Sequence, residues 1–147
     1  MKKLILGMGN EYWGNDAVGI IIAQKLKELS PDYDLKTGAF TGIDFLEAIE
    51  GYDEVVVIDS ILNTDLPVGR VVEFKIEDFT HHQCFSYLHS MNFAAAVVLG
   101  RQLNLNLPAR LRLFGIVVDK KGAVGEDLSN NVKEKLNDIL ATLKNQL

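Results

Sequence analysis

The segment Glu54–Asp59, with the sequence EVVVID, constrains the fold of this chain more than any other segment. Its apolar residues are all β-branched and do not alternate with polar ones, which predicts a strand buried on both faces. Such strands belong to parallel sheets covered by helices on both sides. Other apolar segments of the chain alternate with segments of helical spacing. We therefore expect an α/β fold, a three-layer α/β/α sandwich with a mostly parallel sheet of about five strands.

The predicted strands are Lys3–Met8, Asp34–Ala39, Glu54–Asp59, Arg70–Glu77 and Arg110–Val118. The predicted helices are Asp16–Leu29, Gly42–Glu50, Ser90–Leu103 and Leu128–Leu143. One strand differs from the others, because Val72, Phe74 and Ile76 alternate with charged residues. A period of two is typical of a strand with one wet face. We therefore place Arg70–Glu77 at an edge of the sheet, and its pattern is compatible with an antiparallel direction.

Overall composition argues against several classes of protein. The 147 residues carry a formal net charge of −5, whereas nucleic-acid binders normally present a basic face. No apolar run approaches the roughly 20 residues that a membrane span needs. The single cysteine, Cys84, cannot form an internal disulfide, so we expect a cytoplasmic protein. The length suits one domain over residues 1–147, and nothing in the sequence demands more than a monomer.

The loop after the first predicted strand is glycine-rich but lacks the dinucleotide-binding pattern. Gly7 and Gly9 are followed by Tyr12, where that pattern needs its third glycine, and then by Trp13. The third glycine lets the helix pack closely and the pyrophosphate approach, and bulky aromatic side chains would obstruct both. We therefore expect this loop to present a different group, and Asp16, at the start of the following helix, is the candidate.

Three polar residues are predicted to lie at the carboxyl edge of the sheet, where α/β proteins bind ligands. Asp16 follows the first strand, Asp59 ends the EVVVID strand, and His89 opens the helix after the edge strand. The fold can bring all three to one rim. Two carboxylates and an imidazole form a partial coordination set for a transition metal. The sequence therefore predicts a metal site with open positions at this rim.

Each of these residues also has a purely structural interpretation. Asp16 can complement the dipole of a helix N-terminus, and we give that interpretation as much weight as a functional one. Asp59 favours function, because a carboxylate directly after four apolar residues is costly to desolvate unless it is paired or used. His89 is preferred over His81 and His82 because it adjoins a helix start, although single histidines are more often structural.

Other chemistries have weaker support in the sequence. Cys84 has histidines nearby, but a lone cysteine before an aromatic residue is more often a small buried hydrophobic residue than a nucleophile. The G-x-S-x-G, Walker and H-E-x-x-H motifs are absent. A phosphate-binding domain that uses Gly7–Asn10 is disfavoured, because no basic residue lies between Gly7 and Ile22 and Asp16 would repel a phosphate.

These residues together carry a resemblance that spans essentially the whole chain. They are Gly7–Asn10 with Asp16 and Gly19, the strand ending in Asp59, His89 with Asn92–Phe93, and the late segments Phe114–Val118 and Gly125–Ser129. On these motifs the chain resembles the hydrogenase maturation endopeptidases. Two departures from the family pattern concern neighbours of the proposed ligands. Asn15 stands where the family commonly has the first of two consecutive acids, so only the second, Asp16, is kept, and His89 is followed by Ser90 and not by an acid.

The resemblance implies an endopeptidase that removes the C-terminal extension of a nickel–iron hydrogenase large-subunit precursor after nickel insertion. It implies that Asp16, Asp59 and His89 bind the metal, which is nickel shared with the precursor's own active site. The precursor is then the protein partner. The resemblance does not identify the hydrogenase class or the tail that is removed.

The sequence leaves the mechanism of cleavage open. The bound metal can orient the scissile region for attack by water, or either Asp16 or Asp59 can act as general base. The glycine- and threonine-rich segment after the second strand, with Gly38, Thr41 and Gly42, is predicted to contact the peptide substrate, although it also fits simple turn chemistry. A metal-sensing binding module that docks on the precursor without cutting it is the alternative function.

Overall fold

The computed structural model describes residues 1–63, 65–75 and 93–147. Its strands are β1 (Lys3–Met8), β2 (Asp34–Gly38), β3 (Glu54–Leu62), β4 (Val71–Phe74) and β5 (Arg110–Val118). Its α-helices are α1 (Val18–Leu29), α2 (Ile43–Ile49), α3 (Phe93–Gln102), α4 (Asn130–Lys133) and α5 (Leu136–Gln146). A 3-10 helix, Gly14–Ala17, directly precedes α1. Among these described helices, none combines the length and the apolar character that a membrane span requires.

The described strands form one sheet in the order β2-β1-β3-β5-β4. β1 pairs in parallel with β2 and with β3, and β3 pairs in parallel with β5. β4 lies at the edge and is antiparallel to β5. The predicted fold class is therefore confirmed, including the edge position of β4. Its exposed Glu73 and partly buried neighbours explain the period of two in its sequence.

Both faces of the sheet carry an apolar core, because β3 is buried along nearly its whole length. Val55, Val57 and Ile61 belong to a core on the side of α2 and α3. Val56 and Ile58 belong to a core on the side of α1 and α5. The alternation of side chains along a strand sends these two sets to opposite faces. The uninterrupted EVVVI run thus has a direct physical reason, which is burial on both faces.

Two element boundaries differ from the sequence prediction. The sequence predicts that β3 ends at Asp59, but the strand continues to Leu62, because β5 pairs with it as far as Val118. The predicted closing helix Leu128–Leu143 is divided into α4 and α5. The division lies at Lys135, whose backbone N–H donates to the carbonyl of Val132. There the chain packs so closely against Gly69 that a Cβ on that glycine would lie 2.7 Å from Lys135 Cβ.

Smaller differences lie at the ends of other elements. The helix predicted from Asp16 opens as the 3-10 turn Gly14–Ala17 and becomes α-helical at Val18. β2 ends one residue before the predicted Ala39. Residues 76–77 of the predicted edge strand and residues 90–92 of the predicted third helix lie outside the described part of the chain.

Candidate metal and proteolytic site

The order of strands changes direction between β1 and β3, and the candidate site lies at this point. From β1 the chain moves to β2 on one side, whereas β3, β5 and β4 lie on the other. Ligands of α/β proteins bind outside the carboxyl ends of the strands at such a switch point. The loop after β1 and the carboxyl half of β3 meet here.

Asp59 occupies a special position within β3. β1 pairs with β3 only as far as Gly7 and Ile58, so Asp59 is the first residue of β3 beyond this pairing. On its other side Asp59 still pairs with Gly115 of β5. Its side chain is 2% exposed, and its Oδ1 accepts a hydrogen bond of 2.8 Å from the backbone N–H of Ser60. A central strand therefore holds this carboxylate where the pairing with the neighbouring strand has ended.

Asp16 reaches the same place from the 3-10 helix. Its carboxylate accepts a hydrogen bond of 3.1 Å from the backbone N–H of Asn10 and one of 3.2 Å from the hydroxyl of Ser60. The side chain is 3% exposed. Hydrogen bonds from both the first loop and β3 are strong compensation for burying a carboxylate. Asp16 is thus more than a helix-dipole residue, because it ties the loop to the strand that carries Asp59.

Glycines allow the loop and α1 to come this close to the strand ends. Gly9 has a φ of +140°, and a Cβ at this position would lie 2.1 Å from the carbonyl oxygen of Asp16. A Cβ on Gly19 would lie 2.7 Å from the carbonyl oxygens of Met8 and Ile58. Two of the glycines on which the resemblance rests are therefore required by close backbone packing around the carboxylates.

Asp16 and Asp59 line one cavity of about 210 Å³. The described residues that line it are Met8, Gly9, Asn10, Trp13, Asp16, Ala39, Phe40, Asp59 and Lys121. The structure thus brings together two of the three residues predicted to bind metal. Carboxylate oxygens suit a divalent metal ion, so the donor chemistry of the cavity fits one.

The third predicted ligand, His89, lies outside the described residues, as do His81, His82 and Cys84. Within the described residues, no group of three or more His, Cys, Asp or Glu side chains is placed to hold a metal ion. The assignment of Asp16, Asp59 and His89 as a ligand set therefore stays a prediction, supported by the proximity of its two acids.

The segment predicted to contact substrate borders the cavity. The carbonyl of Gly38 accepts a hydrogen bond of 3.1 Å from the backbone N–H of Gly9, and the carbonyl of Thr41 accepts one of 3.1 Å from Asp44 at the start of α2. Gly42 precedes α2 with a φ of +54°. These three residues are not among those lining the cavity, whereas Ala39 and Phe40 between them are. The sequence indicates the segment but not Phe40, since an aromatic residue in a turn carries no specific signal.

A second loop, residues 119–129, closes the other side of the site. Its backbone pairs with the first loop through hydrogen bonds from Gly14 N–H to the Glu126 carbonyl (3.1 Å) and from Gly125 N–H to the Tyr12 carbonyl (2.7 Å). The Trp13 indole N–H donates to the carbonyl of Gly122 at 2.8 Å. Trp13 is therefore held by local packing at the rim of the cavity, while Tyr12 stays 70% exposed.

Asn15 belongs to this loop contact and not to the cavity. Its side chain is 1% exposed, and its amide donates to the carbonyl of Lys120 (2.9 Å) and the hydroxyl of Ser129 (3.0 Å). Its Oδ1 accepts the backbone N–H of Ser129 at 2.9 Å. A carboxylate in its place could not donate these bonds. Asn15, which stands in place of the acid expected before Asp16, is thus a structural amide in this chain.

Comparison with known proteins identifies the family of this chain. The family model described as hydrogenase maturation protease matches residues 20–146, a region that includes Asp59 and begins just after Asp16. The hydrogenase expression/formation protein HupD of Thiocapsa roseopersicina is 27% identical over 139 residues, which cover 90% of this chain and 62% of HupD. The Hydrogenase 2 maturation protease of Escherichia coli (strain K12) is 26% identical over 81 residues, or 53% of this chain and 49% of that protein.

A solved structure agrees over a longer region. The [NiFe] hydrogenase maturation protease HybD from Thermococcus kodakarensis superposes with a TM-score of 0.70 and 28% identity, over 99% of both chains. In contrast, the chain spans about half to three fifths of the length of the two curated relatives. The family model covers most of this chain, and the fold agrees with that of the solved relatives. This chain therefore belongs to the hydrogenase maturation protease family.

Proposed function

We propose that this protein is an endopeptidase that removes the C-terminal extension of a nickel–iron hydrogenase large-subunit precursor after nickel has been inserted. The observation that carries the proposal is the pair of buried carboxylates, Asp16 and Asp59, in one small cavity at the switch point. Family membership supports a proteolytic role in hydrogenase maturation. The name of the Thermococcus kodakarensis relative supports the nickel–iron class of hydrogenase.

The burial of the two acids supports the sensing of a metal. Carboxylate oxygens from two buried side chains that line one cavity are suitable ligands for a divalent cation. The precursor would deliver its nickel ion to this cavity. A cavity that binds this ion would distinguish the nickel-loaded precursor from the nickel-free one. In this proposal nickel is part of the substrate, and Asp16, Asp59 and His89 complete its coordination.

The same carboxylates are suited to peptide hydrolysis. Either Asp16 or Asp59 accepts a proton from a water molecule as the water oxygen forms a bond to the scissile carbonyl carbon. The carbonyl electron pair moves to its oxygen, and when the carbonyl re-forms the C–N bond breaks. The proton then passes to the departing amine. Ala39 and Phe40 line the entrance at which the peptide would lie, beside the Gly38–Gly42 segment.

The decisive experiment is intact-mass analysis of a large-subunit precursor incubated with this protein. Two precursor samples are compared, one loaded with nickel and one nickel-free. We expect loss of a defined C-terminal peptide in the loaded sample alone. Cleavage of both samples would show that the protein is a protease that does not sense nickel. Formation of a stable complex without any cleavage would instead indicate the metal-sensing binding module.

A further inference from the structure

Lys121 is the only basic side chain among the described residues that line the cavity of Asp16 and Asp59. Its ammonium Nζ lies 5.4 Å from the centre of the Trp13 ring, a cation–π contact. No carboxylate within the described ranges forms an ion pair with it. An aromatic ring therefore holds this positive charge near the two acids, and the three ammonium donors stay available to a ligand.

The backbone places Lys121 in a defined position relative to Asp16. The carbonyl of Lys121 accepts the backbone N–H of Asn15 at 2.8 Å, and the carbonyl of Lys120 accepts the Asn15 amide at 2.9 Å. The Trp13 indole bonds to the next residue, Gly122. Successive residues of the second loop are thus bonded to the segment that leads into Asp16. The lysine side chain therefore starts from a backbone that is hydrogen-bonded to the segment carrying the acid.

The size of the cavity limits how far its lining groups lie from a bound group. A volume of about 210 Å³ corresponds to roughly seven water molecules at the density of the liquid. Lys121 lines this cavity together with both acids, and its four-carbon stem is flexible, so a group held in the cavity can approach the ammonium. An ammonium beside a cation-binding pair of acids does not favour a second cation. Its charge matches an atom of the substrate that becomes negative.

We propose that Lys121 is a catalytic residue that stabilises the negative charge on the scissile carbonyl oxygen. This inference rests on the proposed function. As water adds to the carbonyl carbon and an aspartate takes its proton, the π electron pair moves to the carbonyl oxygen. Lys121 donates a hydrogen bond to that oxygen. The bond strengthens as the charge develops and weakens when the carbonyl re-forms and the amine leaves, so it lowers the barrier more than it strengthens substrate binding.

The test compares Lys121→Gln, Lys121→Arg and Lys120→Gln with the unchanged protein on nickel-loaded precursor. Lys120 is the matched control, because its side chain is exposed beside Lys121 and only its backbone carbonyl takes part in the loop contact. We expect Lys121→Gln to lower kcat at least about tenfold with KM nearly unchanged. Lys121→Arg should recover most of the rate, and Lys120→Gln should behave as the unchanged protein. The melting temperature and Ni²⁺ affinity of Lys121→Gln should not fall.

The possible results separate this inference from the proposed function. If the unchanged protein does not cleave nickel-loaded precursor, both fail. If it cleaves and Lys121→Gln cleaves at the same rate, only the role of Lys121 is overturned. A rise in KM with an unchanged kcat overturns that role as well, since it would make Lys121 a docking residue. A loss of Ni²⁺ affinity or of melting temperature in Lys121→Gln also overturns it, in favour of a structural role.

Discussion

The hydroxyl of Ser60 donates a hydrogen bond of 3.2 Å to Oδ1 of Asp16 across the junction between β3 and the first loop. The backbone N–H of the same serine donates to Asp59 at 2.8 Å. One residue therefore bonds to both carboxylates of the cavity. Because Ser60 is 5% exposed and lies in a central strand, it links the positions of the two acids to the most rigid part of the sheet.

Ser60→Ala is expected to lower the free energy of unfolding by about 1–2 kcal/mol, because the buried Asp16 loses a hydrogen-bond donor. Cleavage of the precursor should slow several-fold as Asp16 moves. Urea unfolding and single-turnover cleavage measure the two effects. Ser30→Ala is the control, since Ser30 is also buried and accepts a bond from Lys144 at the other end of α1. An equal slowing of cleavage in both variants would contradict the role of Ser60.

Asp16→Asn and Asp59→Asn should each slow cleavage by at least about a hundredfold while the protein stays folded. Asparagine keeps the size of the side chain but removes the charge needed to bind a cation or to accept a proton. Mass analysis of the precursor measures the rate, and calorimetric titration with Ni²⁺ measures binding. Asp138→Asn, on the exposed side of α5, is the matched control. Full activity in either site variant would exclude that residue as an essential ligand or base.

Asn15→Asp tests whether an acid at the position before Asp16 has a function in this chain. The new carboxylate would be buried and could not donate to the Lys120 carbonyl, so we expect a loss of about 2–4 kcal/mol in the free energy of unfolding. Cleavage should fall and not rise. Chemical denaturation measures the loss. Unchanged stability together with faster cleavage would show that a carboxylate at position 15 acts in catalysis.

Gly9→Ala and Gly51→Ala separate steric exclusion from backbone strain. Gly51 has a φ of +84°, and a Cβ added there would have no atom within 4 Å, whereas a Cβ on Gly9 meets the Asp16 carbonyl at 2.1 Å. We expect Gly51→Ala to cost about 1–2 kcal/mol and Gly9→Ala at least about 3 kcal/mol. Only Gly9→Ala should abolish cleavage. Similar losses of stability in the two variants would argue against the close approach at Gly9.

We expect the titration of Tyr33 to lower the stability of the protein in alkali. Burial, and then the negative charge of Glu54 and its hydrogen bond of 3.1 Å, raise the pKa of Tyr33 to about 12. A phenol whose pKa is higher in the folded than in the unfolded protein stabilises the fold below the unfolded pKa of about 10 and loses that contribution as the pH rises through 12. The free energy of unfolding should therefore fall over this range by at most about 3 kcal/mol.

Tyr33→Phe should flatten that part of the pH dependence, because the titrating group is gone. Urea unfolding at pH 9 and at pH 11 measures the difference for both proteins. Tyr12→Phe is the comparison: Glu11 raises the pKa of Tyr12, but Tyr12 is 70% exposed on the first loop, so its removal should change the slope less than Tyr33→Phe does. A slope that survives in Tyr33→Phe would assign the alkaline transition to another group.

The layers of the fold could be predicted because they follow from local patterns. EVVVI predicts a strand buried on both faces, and the alternation around Val72 predicts an edge strand, as the structure confirms. The continuation of β3 past Asp59 could not be predicted from that pattern. It depends on pairing with β5, whose residues lie far away in the sequence, and a carboxylate after an apolar run locally indicates the end of a buried strand.

The residues of the candidate site likewise fall into those that the sequence indicates and those that only the structure reveals. Asp16 and Asp59 could be chosen from the sequence because each follows an apolar strand, and parallel strands place their carboxyl ends at one edge. The roles of Ser60, Phe40 and Lys121 could not be chosen, since serine, phenylalanine and lysine are common and carry no local signal. The structural role of Asn15 likewise depends on a second loop more than a hundred residues away.

The sequence by itself therefore determined the order of elements, the burial of the central strand and the two acids at its carboxyl edge, because periodicity and residue type are local properties. The tertiary structure alone decided that these acids share one small cavity, that Ser60 bonds to both, and that Lys121 lies beside them on Trp13. These relationships join segments distant in the sequence. They exist only once the sheet order and the packing of the loops bring those segments within hydrogen-bond distance.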